Sequence, residues 1–420
     1  MMRKKLAIAF MALFMASSLV LGGCDKENDQ VKPSEVQTTG TEAKANEQES
    51  SSQESAVQES SEEESKTEEP KEPFVADRSA AFELLSHINI GWNLGNTLDC
   101  IGAGASVVSE TYWGNPKTTQ EMIDAVAAQG FNAIRIPVTF AEHVGKAPDY
   151  VINEKWLERV QEVVDYAVDA GMYVVLDTHH EPDYWLIPNE DHEEKAVAEL
   201  SAIWTQVAER FKDYDEKLIF EGMNEPRVKG SPTEWSGGNV YERKVVDHLN
   251  QAFIDAVRST GGNNENRLLL IVTYGQNPGY NVIKELTIPE DNNIAVSLHM
   301  YHPYYFTFAG EGGSFYDTWD GSEKGSLVST VKQLEKYFLK KDVPVIITEF
   351  GAVNKNNSEE IIKWATDYLS VMNSYGIKCF WWDNNCYNTN GENFGLFNRK
   401  ALTWYDQALA DALIANSVSE

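Results

Sequence analysis

From residue 74 onward the chain alternates between two apolar patterns. Short runs bounded by Gly, Asn or Pro recur at 87–95 (HINIGWNLG), 131–138 (FNAIRIPV), 173–180 (YVVLDTHH), 218–226 (LIFEGMNEP), 268–275 (LLLIVTYG), 294–303 (IAVSLHMYHP), 343–351 (VPVIITEFG) and 379–384 (CFWWDN). Their length and composition predict eight strands. Between them lie longer stretches with helical spacing. Thr118 to Gln129 opens with a capping box of Thr118 and Glu121, and Asn153 to Ala170 carries one stripe of Trp156, Val160, Val163, Val164 and Ala167. An eightfold strand-helix alternation predicts an α/β fold closed as a (β/α)8 TIM barrel, with a doubly wound open sheet as the alternative.

Barrel chemistry sits at the carboxyl ends of the strands. Here almost every run stops on a polar or aromatic residue: Asn93 and Asn96, Arg135, His179 and His180, Asn224 and Glu225, Tyr274, His299 and Tyr301, Glu349, Trp381 and Trp382. Closure would bring all of them to one mouth.

The first 73 residues follow neither pattern. A basic head (Met1 to Lys5), an apolar stretch (Leu6 to Leu21) and LGGC ending at Cys24 read as a lipoprotein signal peptide over 1–23, with Cys24 as the lipidated residue. The apolar stretch is short of the ~20 residues a membrane span needs. Residues 24–73 form a Ser- and Glu-rich linker whose 5 basic and 15 acidic residues leave it solvated and self-repelling. The whole is expected to be exported and lipid-anchored at the outer face of a bacterial cell surface, the linker giving reach to a single catalytic domain over 74–420. A formal net charge of −30 argues against nucleic acid as partner and leaves the lipid anchor as the only membrane contact. Besides Cys24 there are only Cys100, Cys379 and Cys386, too few for a disulfide scaffold and without zinc-site spacing. Cys100 follows strand one and Cys386 strand eight, neighbours in a closed barrel, so an exported protein could bridge them.

Glu225 and Glu349 fall on strands four and seven, which face one another across a closed barrel. Two carboxylates at ~5 to 5.5 Å suit a retaining glycosidase, and at ~6.5 to 9.5 Å an inverting one. Arg135 and the Tyr301 hydroxyl could hold Glu349 ionised as a nucleophile, leaving a less well paired Glu225 to carry the proton of a general acid. Asn224 could bond a sugar 2-hydroxyl. Trp92, Trp113, Trp185, Trp235, Trp381 and Trp382 lie in or near strand-end loops, where indole faces suit pyranose rings, although some must be core.

The set GWNLGNTLD (91–99), ETYWGNP (110–116), GFNAIRIPV (130–138), THH (178–180), MNEPR (223–227), HMYHP (299–303), TEFG (348–351) and FWWDN (380–384) resembles glycoside hydrolase family 5, above all its bacterial endoglucanases with a GWNLGNTLD opening. The resemblance implies a retaining barrel enzyme with Glu225 as acid/base and Glu349 as nucleophile, acting on β-1,4-glucan without metal or cofactor. It implies Arg135, His179, Asn224, His299, Tyr301 and Trp382 as the shell around the cleaved sugar. Asn93, His180 and Asn384 are further candidate sugar contacts. Related sequences often continue strand two as PVTW with a His three residues on. Here Phe140 replaces that Trp while His143 is kept as a candidate helper.

Two other classes remain to be weighed. HHE at His179 to Glu181 could ligate a metal, although consecutive strand residues diverge and no further ligand motif accompanies them. A surface glucan-binding protein would keep the aromatic cleft without the acid pair. Mixed-linkage glucan, xyloglucan or mannan could replace β-1,4-glucan on the same machinery. A monomer is expected.

Overall fold

The computed structural model describes residues 74–309, 314–389 and 392–417; the signal peptide, Cys24 and the linker lie outside them. Eight strands pair in parallel and in sequence order into a closed barrel, with β8 returning to β1. They are β1 (Gly91–Leu94), β2 (Ala133–Ile136), β3 (Tyr173–Asp177), β4 (Leu218–Glu221), β5 (Leu269–Val272), β6 (Ile294–His299), β7 (Val345–Phe350) and β8 (Lys378–Asp383). Helix α1 (Ser79–Ser86) precedes the barrel, and α2 (Gln120–Gln129), α3 (Glu154–Asp169), α4 (Glu193–Phe211), α5 (Val240–Ser259), α6 (Tyr280–Glu285), α7 (Tyr304–Thr307), α8 (Lys324–Tyr337), α9 (Ser358–Asn373) and α10 (Gln407–Ala415) follow in turn. None of these helices is long and apolar enough to cross a membrane.

The helices form where the pattern places them, with one shift. In α3 the Asn153 side chain caps the N–H groups of Lys155 and Trp156, and the expected stripe is buried. In α2 the N-cap is Thr119, so the Thr118–Glu121 capping box is not made. The Thr118 N–H goes instead to Glu110, whose carboxylate also takes Arg159 of α3. A long-range ion pair outcompetes the local cap.

Alternation along the strands builds the interior in layers. Ala133, Val175, Ile219, Leu270, Ala295, Ile346 and Phe380 make an apolar floor that Ala81, Leu85 and Ile88 close from below. Gly91 belongs to this level because a Cβ there would sit 2.0 Å from the Phe380 ring. Two residues further up, seven of the strands offer Asn93, Arg135, Asp177, Glu221, Ser297, Thr348 and Trp382, and the level becomes largely polar, while β5 has Val272. Outward residues such as Ile134, Leu176 and Ile347 join the main core against the helices.

Three thiols among the described residues, Cys100, Cys379 and Cys386, are free, so the expected Cys100–Cys386 bridge is absent. Cys100 is fully buried. The loop after β8 is held by hydrogen bonds instead, Cys386 N–H to the Asn384 side-chain Oδ1 at 3.0 Å and Gly395 N–H to the Cys386 carbonyl at 2.8 Å.

Glu181 ties the loop after β2 to the loop after β3. It is fully buried, with one oxygen accepting the Phe140 N–H at 2.7 Å and the other the Trp185 indole N–H at 3.1 Å. Phe140 is itself buried and fills a packing position. Burial outweighs these hydrogen bonds and pushes the Glu181 carboxyl up to about 8. The folded protein therefore holds a proton that the unfolded chain releases near 4.5. The resulting stabilisation is full below pH 4.5 and is lost as pH rises through about 8. Glu181→Gln is expected to flatten the thermal-melting profile across that window, and a profile as steep as wild type would remove Glu181 as its source.

Candidate active site

Arg135 enters the barrel from β2 with no exposed surface, and each of its N–H groups has a partner. Nε donates to Glu221 at 2.5 Å, Nη1 to Asn93 Oδ1 at 3.1 Å and Glu349 Oε1 at 2.6 Å, and Nη2 to Asn224 Oδ1 at 2.8 Å and Asp177 Oδ2 at 2.5 Å. One guanidinium thus faces three carboxylates. Those carboxylates raise its proton affinity against the effect of burial, and burial pushes Asp177 up to about 6.

Glu349 reaches this hub because β7 is irregular. Ile346 and Thr348 face inward and Ile347 outward, so strict alternation would turn Glu349 to the helices. The pairing register shifts on both edges of β7, next to Leu298/His299 of β6 and between Ile347 and Phe350 of β7. A bulge of this kind re-aims a side chain. Glu349 Oε2 then accepts the Tyr301 hydroxyl at 2.8 Å.

Glu225 comes from the turn beyond β4, with φ at +44°, a left-handed conformation rare for a residue with a side chain. The His299 ring donates from Nδ1 to Glu225 Oε1 at 2.9 Å and lies 3.4 Å from Glu349 Oε2. One oxygen of each carboxylate and one His299 nitrogen all lie within 4.8 Å of one another. The other ring nitrogen, Nε2, is buried without a partner.

The electrostatics of the empty cleft differ from the expectation that Glu225 is the poorly paired member. Burial favours its neutral form, but the His299 hydrogen bond and the Arg227 charge at 3.4 Å outweigh burial and hold the carboxyl down at about 2. Burial, reinforced by the charge of Glu225, raises Glu349 above the usual carboxylate range despite His299 and Arg135. Arg135 divides its charge among three acids, which limits what it does for any one of them.

The expected shell is partly assembled. The buried His179 donates from Nδ1 to Asp177 at 3.0 Å, and its ring stacks on Trp382 at 5.7 Å with planes 3° apart. Trp382 lies over Gly95, where a Cβ would come 2.7 Å from the indole. His180 is half-buried, with Nε2 3.7 Å from Asp99 and its ring 5.6 Å from that of Trp113. Asp99, His179 and His180 form a cluster with ligand-type atoms within 4.8 Å, so a third group does accompany the histidine pair. Asp99 is already engaged by the N–H groups of Asn96 and Thr97.

Three candidates do not face the cleft. Asn93 is fully buried; its amide donates to the Thr348 carbonyl and accepts from Arg135, because alternation from Gly91 turns it inward. His143 stacks on Trp156 at 3.8 Å and pairs with the Ser109 hydroxyl; burial lowers its ring to about 4. Asn384 uses its carboxamide to brace the loop after β8, donating to the Glu392 carbonyl and accepting the Cys386 N–H. Among the aromatics, Trp92, Trp185 and Trp381 are core, whereas Trp113 and Trp235 are exposed. Tyr274 is also buried, its hydroxyl accepting the Val228 N–H.

Sequence reasoning passed over Asp177, Glu221, Arg227 and Gln276. Asp177 and Glu221 carried a usable signal, since each is a charge at an inward position of an apolar strand. Arg227 and Gln276 sit in turns, where no period exposes them.

Residues 99–388 match the family described as cellulase (glycosyl hydrolase family 5). Endoglucanase A of Ruminococcus albus is 53% identical over 340 residues, covering 80% of this chain and 93% of that protein. Among solved structures, a xyloglucan-specific endo-β-1,4-glucanase from a metagenomic library, in complex with cellotriose, is similar with a TM-score of 0.79 at 57% identity, covering 81% of this chain and 99% of the other. A broad-specificity endoglucanase from Ruminococcus champanellensis with bound cellotriose gives a TM-score of 0.76 at 46% identity, covering 80% and 98%. The chain belongs to glycosyl hydrolase family 5, the cellulases.

Proposed function

We propose that the protein is a retaining endo-β-1,4-glucanase in which Glu349 is the nucleophile and Glu225 the acid/base. The observation that carries this reading is the approach of the two carboxylates, with an oxygen from each within 4.8 Å. So close an approach of the two oxygens suits the ~5 to 5.5 Å retaining class better than the ~6.5 to 9.5 Å inverting one.

In the first step Glu349 attacks the anomeric carbon, the bond to the glycosidic oxygen breaks, and Glu225 gives that oxygen its proton. A glycosyl ester on Glu349 results. Water then attacks the same carbon while Glu225 takes its proton, and Glu349 leaves as carboxylate, so two inversions restore the β configuration. Tyr301, bonded to Glu349 Oε2 at 2.8 Å, holds the nucleophile on one side while Arg135 holds the other. Arg135 also takes the Asn224 carbonyl oxygen, which orients the amide N–H groups toward a sugar hydroxyl. Trp382, stacked on His179, supplies an apolar face for the pyranose, with Trp113 and Trp235 as outlying platforms.

Cys24 anchors the chain at the cell surface through its lipid, the acidic linker sets the reach, and the catalytic unit works as a monomer on polymer too large for import. The xyloglucan-specific relative favours xyloglucan as the first alternative within the same chemistry, with mixed-linkage glucan and mannan as the others. Rates on carboxymethylcellulose, barley β-glucan, xyloglucan, glucomannan and xylan separate them. Release of reducing sugar from any of these excludes a purely binding role.

Glu349→Gln is expected to lower turnover by at least ~10³-fold with the fold intact. Turnover at a tenth of wild type or more would remove Glu349 as nucleophile. Glu225→Ala is expected to be partly rescued by azide, giving a glycosyl azide of β configuration by NMR. No rescue, or an α product, would overturn the acid/base assignment.

A further inference from the structure

Glu225 occupies a backbone conformation that a side chain disfavours, at φ +44° and directly before Pro226. Something outside the turn must keep it there. Its N–H bonds to no strand but to a side chain, Gln276 Oε1, at 2.8 Å. Gln276 is fully buried in the turn after β5 and is itself left-handed at φ +47°. The other end of its carboxamide donates from Nε2 to Glu221 Oε1 at 2.7 Å and to Ser297 Oγ at 2.8 Å. The second oxygen of Glu221 accepts from Arg135 Nε at 2.5 Å, and Arg135 Nη1 donates to Glu349 Oε1 at 2.6 Å.

We infer that Gln276 is a positioning residue for Glu225, fixing the backbone of the acid/base and tying it through Glu221 and Arg135 to the opposing carboxylate. The inference rests on the reading of Glu225 as proton donor.

The chemistry of the site requires an amide. One end must accept an N–H and the other must donate to a carboxylate, and only a carboxamide offers both at that spacing. Reversing the amide would set a donor against the Glu225 N–H and an acceptor against Glu221. A glutamate would place a second carboxylate against Glu221 unless it held a proton. The chain Glu225–Gln276–Glu221–Arg135–Glu349 runs beneath the mouth, so the spacing of the two carboxylates is set from inside the barrel.

Gln276→Met keeps the bulk and removes the bonds at both ends of the carboxamide. Loss of acid placement should lower kcat/KM on soluble β-glucan by about 30- to 100-fold, the scale of an ångström-level misplacement. On dinitrophenyl cellobioside, whose leaving group departs without a proton, kcat/KM should stay within about threefold of wild type, since it reports the first bond cleavage alone. An equal loss on both substrates, or no loss on the polymer, overturns the inference. Should Gln276→Met fail to fold, as judged by near-ultraviolet circular dichroism, Gln276→Glu decides. It keeps the acceptor but donates to Glu221 only when protonated, so its activity on polymer should recover on the acid side, and an unshifted pH profile overturns the inference. Glu225→Ala measured on the same two substrates separates the two levels. If it shows the split and Gln276→Met does not, only the role of Gln276 falls. If it does not show the split, the acid/base reading falls and the inference with it.

Discussion

A single buried guanidinium organises the interior of this barrel. Arg135 lies within hydrogen-bond distance of Asp177, Glu221 and Glu349 and donates also to Asn93 and Asn224. Removing such a group from water costs several kcal/mol per ion, and that cost is offset only when every donor is matched. Each N–H of Arg135 is matched, which is why the cluster can exist at all. The desolvation is not fully cancelled even so, and burial leaves the Asp177 carboxyl pushed up to about 6 despite the Arg135 charge. A core selected for stability alone would fill this level with branched apolar side chains, as it does one step below at Val175, Ile219 and Ile346.

The hub explains why the two proposed catalytic carboxylates are held so differently. Glu349 is approached from inside the barrel, by Arg135 and by Tyr301, and its strand bulges to let it arrive. Glu225 is approached from the mouth, by His299 and by an Arg227 that also pairs with Glu234 at 3.1 Å and lies 4.3 Å from the Trp235 ring centroid. Both acids lie beside His299 of β6, but only Glu349 reaches the sealed Arg135, and only Glu225 also leans on Arg227 from the turn after β4. The side chain of Glu225 is held by His299 at the end of β6, and its main chain by Gln276.

Much of this was legible before any coordinates. The eight apolar runs all became strands of one closed barrel because each is short and punctuated by turn residues, and closure then carries their polar ends to one mouth. The cap and stripe of α3 were equally readable, being local. Long-range competition was not readable. Glu110 captures the Thr118 N–H and moves the start of α2 by one residue, and Trp156 captures the ring of His143. Asn93 was misread for a different reason. It stands at a strand end, but its position two residues after Gly91 fixes it inward, and alternation could have shown this. The bulge in β7 leaves no periodic trace, and without it the same sequence would point Glu349 away from Arg135.

The resting charges of the cleft constrain how the proposed double displacement begins. Attack requires Glu349 ionised and Glu225 protonated, whereas in the empty site Glu225 is held down at about 2 and Glu349 is raised. A pyranose in the mouth removes water from both acids and so favours the neutral form of each. Glu349 keeps its cation, because Arg135 is sealed beneath it. Glu225 depends on His299, which also neighbours Glu349, and on the partly exposed Arg227, whose N–H groups a sugar hydroxyl can engage. Engagement of Arg227 by a sugar hydroxyl would raise Glu225 alone, and the remaining charge on Glu349 would raise it further. Once Glu349 becomes a glycosyl ester that charge is gone, the proton affinity of Glu225 falls, and the group that gave a proton is ready to accept one from water. In the proposed mechanism, then, a sealed cation under Glu349 and a partly exposed one beside Glu225 are what allow their proton order to reverse.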